Sequence, residues 1–431
     1  MARVNRFILE YEEKFREGIG YAADKPPKKT LQRFIRYLKS VEDTRATGMI
    51  DYPLEEILVI AFLAILCGAS KWEDMEAYGR AYQKWLKKFL KLEKGIPSHD
   101  TFQRVFGLIN GQQLEAATVA FVAEIIGRLK KTLKLSDTDK RHISVDGKES
   151  RATGRKHATS EEIKNLQTLH IYDNSSGICL YSAMIEQKTN EIPVAQSILG
   201  SMALKDSIVS FDAMNTQKRT IEIIRAQKGD YIGALKGNHE TVETEVRAYF
   251  TEETCAQIRT KGVDYYRSSE KAHNQAETRE FFLTGKIDWF EDLPQWSGLK
   301  SFICYKKTML NLVTGKETTE ERYYMASVKD VVLCADAIRG HWGIENRLHW
   351  HLDATFREDD NTTANKIAFN NLSILNKMTL SILKLSKPLF KNHSIRSLRL
   401  QFGWKMEDCL ATVLNFFSDD ELLEAIGSAS S

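Results

Sequence analysis

The stretch His142-Ile143-Ser144-Val145-Asp146-Gly147-Lys148 decides how the chain reads. A short apolar run closes on a carboxylate, and a glycine and a lysine follow at once. The same arrangement recurs at Ile208-Val209-Ser210-Phe211-Asp212, just before the polar turn Ala213-Met214-Asn215-Thr216. Both runs have the length and composition of buried strands, each with an acid at its end. A third acid, Glu345, lies in Ile338-Arg339-Gly340-His341-Trp342-Gly343-Ile344-Glu345-Asn346-Arg347-Leu348, and helical spacing puts it on one stripe with Ile338, Trp342 and Leu352. A carboxylate in an apolar stripe is costly unless it is paired or holds a cation. Two strand-end aspartates and a helix glutamate suit a pair of hard divalent cations, because Mg²⁺ takes oxygen ligands and keeps waters for chemistry.

Outward from these runs, strands are expected at 142–146, 167–173 and 178–186, with Asn174-Ser175-Ser176-Gly177 as a hairpin turn. A helix from about Pro193 to Met202 precedes the Asp212 strand, a helix through Arg225 follows it, and Asp230-Tyr231-Ile232-Gly233-Ala234-Leu235 reads as a further strand. Pattern alone specifies a mixed α/β fold. The interval from Asp212 to Glu345 is too long for one connection in a compact domain, so an inserted subdomain is expected there. Its strands are Thr278–Leu283, Ser301–Tyr305 and Glu321–Ala326, and Trp289 and Trp296 read as its core rather than as platforms for a flipped base.

Before the first strand, Leu54 to about Leu135 repeats apolar residues at three and four, which specifies a helical domain. Ser98-His99-Asp100 opens one of its helices with Ser98 or Asp100 as N-cap, so His99 is structural. The segment Thr30–Leu38 interleaves Lys and Arg with aromatics; it is either an amphipathic helix with a solvated face or an arm lying on DNA. Beyond Asn361 the chain is helical to about Ile426, without evident chemistry.

Composition narrows the classes. A 431-residue chain with 42% hydrophobic residues has ample material for buried cores, and a net charge of +3 excludes a uniformly basic coat for nucleic acid. Any DNA contact must come from local clustering. The six cysteines have neither zinc-ligand spacing nor a disulfide pattern, which favours a reducing compartment. The longest apolar stretch, Leu58 to Cys67, is far shorter than the roughly 20 residues of a spanning helix. With no signal-peptide pattern after Met1, a cytoplasmic protein with no membrane partner is expected.

Four stretches carry a specific resemblance: Ser144-Val145-Asp146-Gly147-Lys148, Phe211-Asp212-Ala213-Met214-Asn215-Thr216-Gln217, Ala234-Leu235-Lys236-Gly237-Asn238-His239 and His341-Trp342-Gly343-Ile344-Glu345-Asn346-Arg347-Leu348-His349-Trp350. In this order they resemble the DDE-type transposases of bacterial insertion sequences, within them the H-repeat-associated group. Tyr52-Pro53-Leu54-Glu55-Glu56-Ile57, Gly68, Trp72 and Ile96-Pro97-Ser98-His99-Asp100-Thr101-Phe102 resemble the accessory domain that precedes the core there.

The resemblance implies an RNase H-like catalytic core interrupted by a β-rich insertion, preceded by a helical N-terminal domain and followed by a helical C-terminal region. On that reading residues 1–45 are a basic helical extension and 46–135 a helical accessory domain that binds DNA ends. The core's first part is 136–261, the insertion 262–332, and 333–431 the rest of the core with the glutamate helix and C-terminal helices.

It implies a transposase that cleaves transposon ends and joins the 3′-hydroxyl to target DNA, with Asp146, Asp212 and Glu345 as both catalytic residues and metal ligands. Two Mg²⁺ ions are expected, with Asp146 bridging and Mn²⁺ able to substitute. The partners are double-stranded DNA, both transposon ends and target, and a second copy of the chain, since two ends must be synapsed. The expected location is the bacterial cytoplasm, on the nucleoid. Lys148, Arg151, Lys236, Asn238, His239 and Arg347 stand beside the acids and are expected to hold phosphates. His341 would orient a ligand, contact DNA or pack beside Trp342.

One departure limits the transfer. Many related transposases place Tyr, Arg and Lys at set distances from the glutamate, where this chain has Ile338, His341 and Leu352, so their hairpin-forming chemistry does not carry over. Alternatives are a metal-dependent nuclease without strand transfer, an inactive domesticated DNA-binding relative, and a structural protein whose acids are ion-paired. Asp353, about 80° around an ideal helix from Glu345, is expected behind the ligands. Glu358-Asp359-Asp360 reads as a solvated helix end.

Overall fold

The computed structural model describes residues 28–132, 140–154, 164–185, 190–272, 274–387, 390, 393–406, 410 and 413–415. Residues 1–27 of the expected basic extension, and the last expected helix from 416 onward, lie outside them. Among the described residues no helix is long and apolar enough to cross a membrane.

The N-terminal region is helical, as the three-four spacing predicts: α1 (Lys28–Leu38), α2 (Leu54–Leu66), α3 (Trp72–Ala81), α4 (His99–Phe106) and α5 (Gly111–Thr132). Helix α2 is apolar on nearly every face because it is enclosed by the others. Helix α1 buries Leu31, Phe34 and Leu38, and the Phe34 ring lies 5.1 Å from Phe62 and 4.9 Å from Phe121. Its apolar face is therefore core, and its Arg36 and Tyr37 engage Glu124. His99 is structural: its backbone N–H donates to Glu76, and its Nδ1 lies 2.8 Å from the same carboxylate oxygen.

One nine-stranded mixed sheet follows, formed by β1 (Arg141–Ser150), β2 (Leu166–Asp173), β3 (Ile178–Ile185), β4 (Ser207–Phe211), β5 (Asp230–Leu235), β6 (Tyr265–Ala272), β7 (Gln275–Thr284), β8 (Ser301–Asn311) and β9 (Glu317–Ala326), in the order β3-β2-β1-β4-β5-β9-β8-β7-β6. Strands β1, β2 and β3 are antiparallel, β4 and β5 run parallel to β1, and β9 closes antiparallel on β5. The strands expected as an inserted subdomain are present, but they prolong the core sheet. Without β9, β5 would present an open edge, and pairing from Ile232↔Ala326 to Leu235↔Tyr323 removes it.

Alternation along the strands divides the sheet into two faces. Ile143, Val145, Val209 and Phe211 pack toward α6 (Glu191–Ser201) and α7 (Lys218–Ala226), while Ile208 packs with α10 (Val331–Ile344) on the other face; α8 (Glu240–Tyr249) and α9 (Glu252–Lys261) lie between β5 and β6 in the chain. Ser144, Asp146 and Ser210 share the α10 face by the same period of two.

The C-terminal helices α11 (Lys366–Ser386) and α12 (Ile395–Trp404) join the N-terminal helices in a single apolar core, together with Leu348, Leu352 and Phe356. Buried Arg399 fastens these parts by donating to the carbonyls of Ile65, Ala69 and Thr355.

Candidate active site

The parallel register of β1 and β4 places the two aspartates side by side. Val145 pairs with Phe211 as the last rung of that ladder, and Asp146 and Asp212 are the next residue on each strand. Asp146 does not end its strand, contrary to the expectation from the apolar run: it pairs with His170, and β1 continues to Ser150 because β2 supplies a partner after β4 has turned away. The carboxylate therefore sits at a fork in the sheet, where a side chain is accessible yet rigidly based.

Asp212 is held by the turn that follows it. Its Oδ1 accepts from the Asn215 backbone N–H at 3.0 Å and from Asn215 Nδ2 at 3.1 Å. Asp146 Oδ1 accepts from Gly147 N–H at 3.0 Å, and the His349 Nδ1 lies 3.7 Å from Asp146 Oδ2.

Beneath the acids runs a buried polar seam. The Ser144 and Ser210 hydroxyls are 3.1 Å apart, His142 Nε2 is 2.8 Å and His341 Nδ1 3.2 Å from Ser210 Oγ, and Asn174 Nδ2 donates to Ser144 at 2.6 Å. Burial pushes His142 down to about 3, His341 to about 4 and His349 to about 3, so these rings are neutral and tie α10 to the sheet without adding charge. His341 is thus placed to brace β4, and its ring is taken up by Ser210.

Glu345 follows the last residue of α10, where the winding loosens into two π-helical turns, Glu345–His349 and His351–Thr355. The Trp350 N–H reaches back five residues to the Glu345 carbonyl, and Phe356 N–H to that of His351 at 2.9 Å. Such turns recur at functional sites because they re-aim side chains. Here they break the phase of the expected stripe beyond Glu345. Leu348 and Leu352 are buried, whereas Glu345 is exposed and leaves the apolar stripe that ideal spacing predicted.

Glu345 and Asp212 nevertheless reach Asp146 electrostatically. Burial, then the charges of Glu345, Asp212 and Glu191, raise the Asp146 carboxyl to about 8. Glu191, at the first position of α6, is a fourth acid that sequence reasoning missed. Beside the N-cap Asn190, whose side chain accepts from Ile192 N–H at 3.2 Å, it reads as an ordinary first-turn acid.

The expected basic residues divide. Lys148 lies two residues beyond Asp146, on the same face, and is buried: its Nζ is 2.6 Å from Asp353 Oδ1 and 3.5 Å from Glu358 Oε2. It is occupied by protein carboxylates and is not free to hold a phosphate. Glu358 is likewise not solvated; it is 3% exposed and accepts from Asn376 at 3.1 Å, because the chain after the π-helical turns folds back onto Lys148.

Arg151 and Lys236 are exposed, and Arg347 is half-buried. Asn238 donates to the Ala213 carbonyl at 2.6 Å and so braces the Asp212 turn, while the His239 ring meets buried Trp296 edge-on at 5.7 Å. Trp296 is buried in the core, and Trp289, partly buried against the same core, stacks on Tyr249 at 5.1 Å.

The donors suit a hard divalent cation. The acids around Asp146 offer the carboxylate oxygens such a cation takes, and burial, then their mutual repulsion, holds the Asp146 carboxyl above its ordinary value. Among the described residues no three are already drawn to coordinating distance around one point.

Comparison with known proteins gives the family. The transposase DDE domain matches residues 137–382, and the domain described as DDE_Tnp_1-associated matches 35–122. The "H repeat-associated putative transposase YhhI" of Escherichia coli K12 is 29% identical over 338 residues, 77% of this chain and 84% of that protein. An uncharacterised protein of Xanthobacter autotrophicus is 32% identical over 283 residues, 66% of this chain and 90% of its own. A piggyBac transposase synaptic complex with hairpin DNA aligns over 93% of this chain and 84% of that chain at 10% identity, with a TM-score of 0.38. The domain match spans the whole sheet, both aspartates and the glutamate helix, and on that extent the chain belongs to the DDE transposase family.

Proposed function

We propose that the protein is the transposase of a bacterial insertion sequence, which cleaves the element's ends and joins the freed 3′-hydroxyl to target DNA. What supports this reading is that Asp146 in mid-β1 and Asp212 after β4 stand on adjacent strands one residue past their last shared rung, and that Glu345 after α10 acts with Asp212 on the Asp146 carboxyl. The order β3-β2-β1-β4-β5, with three antiparallel strands and two parallel to β1, supports an RNase H-like core.

Asp146, Asp212 and Glu345 would hold the expected Mg²⁺ or Mn²⁺ ions, with Asp146 the ligand they would share. Bound there, divalent cations lower the pKa of an attacking water or hydroxyl and offset charge on the leaving oxygen. Asn215 keeps the Asp212 carboxylate aimed, and the neutral histidines hold the helix end against the strands. Arg151 and Lys236, both exposed, and half-buried Arg347 are the candidates for the phosphate contact that a cluster of like charge requires. The full chain acts on double-stranded DNA, as a dimer when two ends are brought together.

The test uses supercoiled DNA carrying the sequences that flank this reading frame, in Mg²⁺. Glu345→Gln is expected to lower both nicking and joining by several orders of magnitude, since several kcal/mol of transition-state stabilisation are lost. Asp353→Asn, whose carboxylate faces Lys148, should do much less. A Glu345→Gln protein that nicks at the wild-type rate would remove the third acid from the assignment. Nicking without joining in the unaltered protein would instead favour a nuclease.

A further inference from the structure

We infer that Glu191 is a fourth carboxylate of the cation site, and that Gly147 is glycine so that this carboxylate can lie there. The inference rests on the reading of Asp146, Asp212 and Glu345 as cation ligands and adds a residue to it.

Two contacts place Glu191. A Cβ built on Gly147 would fall inside the Glu191 carboxylate, with Cδ at 2.5 Å and Oε2 at 2.8 Å, so the side chain lies directly over the backbone that follows Asp146. On its other side it faces Asn215, the residue that also orients Asp212. Glu191 thus touches the residue after one aspartate and shares a partner with the other.

A first-turn acid serving only the helix dipole gains no more than the Asn215 contact from this position. In water its charge would still favour the α6 N-terminus, whereas turned inward it adds repulsion to Asp146 and Asp212. A cation reverses that balance, since each further oxygen donor then lowers the energy of the site. The pairing also explains the glycine in Val145-Asp146-Gly147-Lys148. Its neighbours in β1 all carry side chains, and at this position any side chain would expel the Glu191 carboxylate. Because that group is the far end of a flexible chain, a methyl at 147 can be accommodated by swinging it away, leaving the strand intact.

The experiment titrates Mn²⁺ into the full-length protein without DNA and reads free Mn²⁺ by electron paramagnetic resonance, with thermal melting as the check on folding. Asp146→Asn should abolish binding. Glu191→Gln should weaken it about 10- to 100-fold, the range seen when a supporting group of a metal site is lost. Gly147→Ala should weaken it to a similar extent, and the double variant should be no weaker than either single one, because both changes remove the same carboxylate.

Wild-type affinity in Glu191→Gln, with binding lost in Asp146→Asn, would overturn the role of Glu191 and leave the three-acid site standing. Weakened binding in Gly147→Ala alone would also overturn it, by showing that the glycine acts through something else. Equal binding by the unaltered protein and Asp146→Asn would bring down the three-acid reading and this inference together.

Discussion

A buried ammonium between two carboxylates contributes to folding rather than to ligand capture, and Lys148 is in that position. Removing one partner of a buried ion pair strands the other charge, at a cost of about 3–5 kcal/mol. Lys148→Met should therefore lower the unfolding free energy by that much, seen as a lower urea midpoint at unchanged slope, while the salt dependence of DNA affinity stays as in the unaltered protein. A normal midpoint with a shallower salt slope would mean that Lys148 holds a phosphate after all. The three acids stand out in the sequence because each lies against an apolar neighbourhood. Lys148 could not, since Asp353 and Glu358 lie about two hundred positions away, on a segment whose winding gives no local signal. Glu191 was hidden for another reason: an acid in a first helical turn needs no special explanation.

Among the elements, β5 and the turn after Asp212 are fitted to one another through Gly233. A Cβ there would lie 2.8 Å from the Phe211 ring and 2.8 Å from Thr216 Oγ1, and Thr216 Oγ1 also donates to the carbonyls of Asp212 and Ala234. Gly233→Ala should destabilise the protein by about 1–3 kcal/mol through overpacking. It should also depress DNA nicking more than an equally destabilising change in the N-terminal helices, measured at matched fractions folded. Equal losses of nicking would show that the turn does not hold Asp212 in place. The strands could be read because alternation and short apolar runs survive in β1 to β5. Phase along the glutamate helix could not, because hydrogen bonds reaching back five residues shift every side chain after Glu345, and the periodicity of Ile338, Trp342 and Leu352 carries no mark of that shift.

Across the whole molecule, distance along the chain is a poor guide to proximity. Thr30 Oγ1 donates to the Leu414 carbonyl at 2.5 Å, and Trp72 Nε1 to Thr363 at 3.0 Å, so the N-terminal and C-terminal helices that the sequence suggests as separate regions form one core. That core packs beside the sheet through the segment that carries Glu345, which couples the third acid to the helical regions as well as to β1 and β4. The central claim is that Asp146, Asp212 and Glu345, brought together by this arrangement, hold divalent cations. Anomalous diffraction from crystals of the unaltered protein equilibrated with Mn²⁺ tests it most directly. The expected result is manganese at about 2.1 Å from an Asp146 carboxylate oxygen and shared with Asp212 or Glu345; manganese found only at Asp353 and Glu358, or nowhere near Asp146, would contradict it.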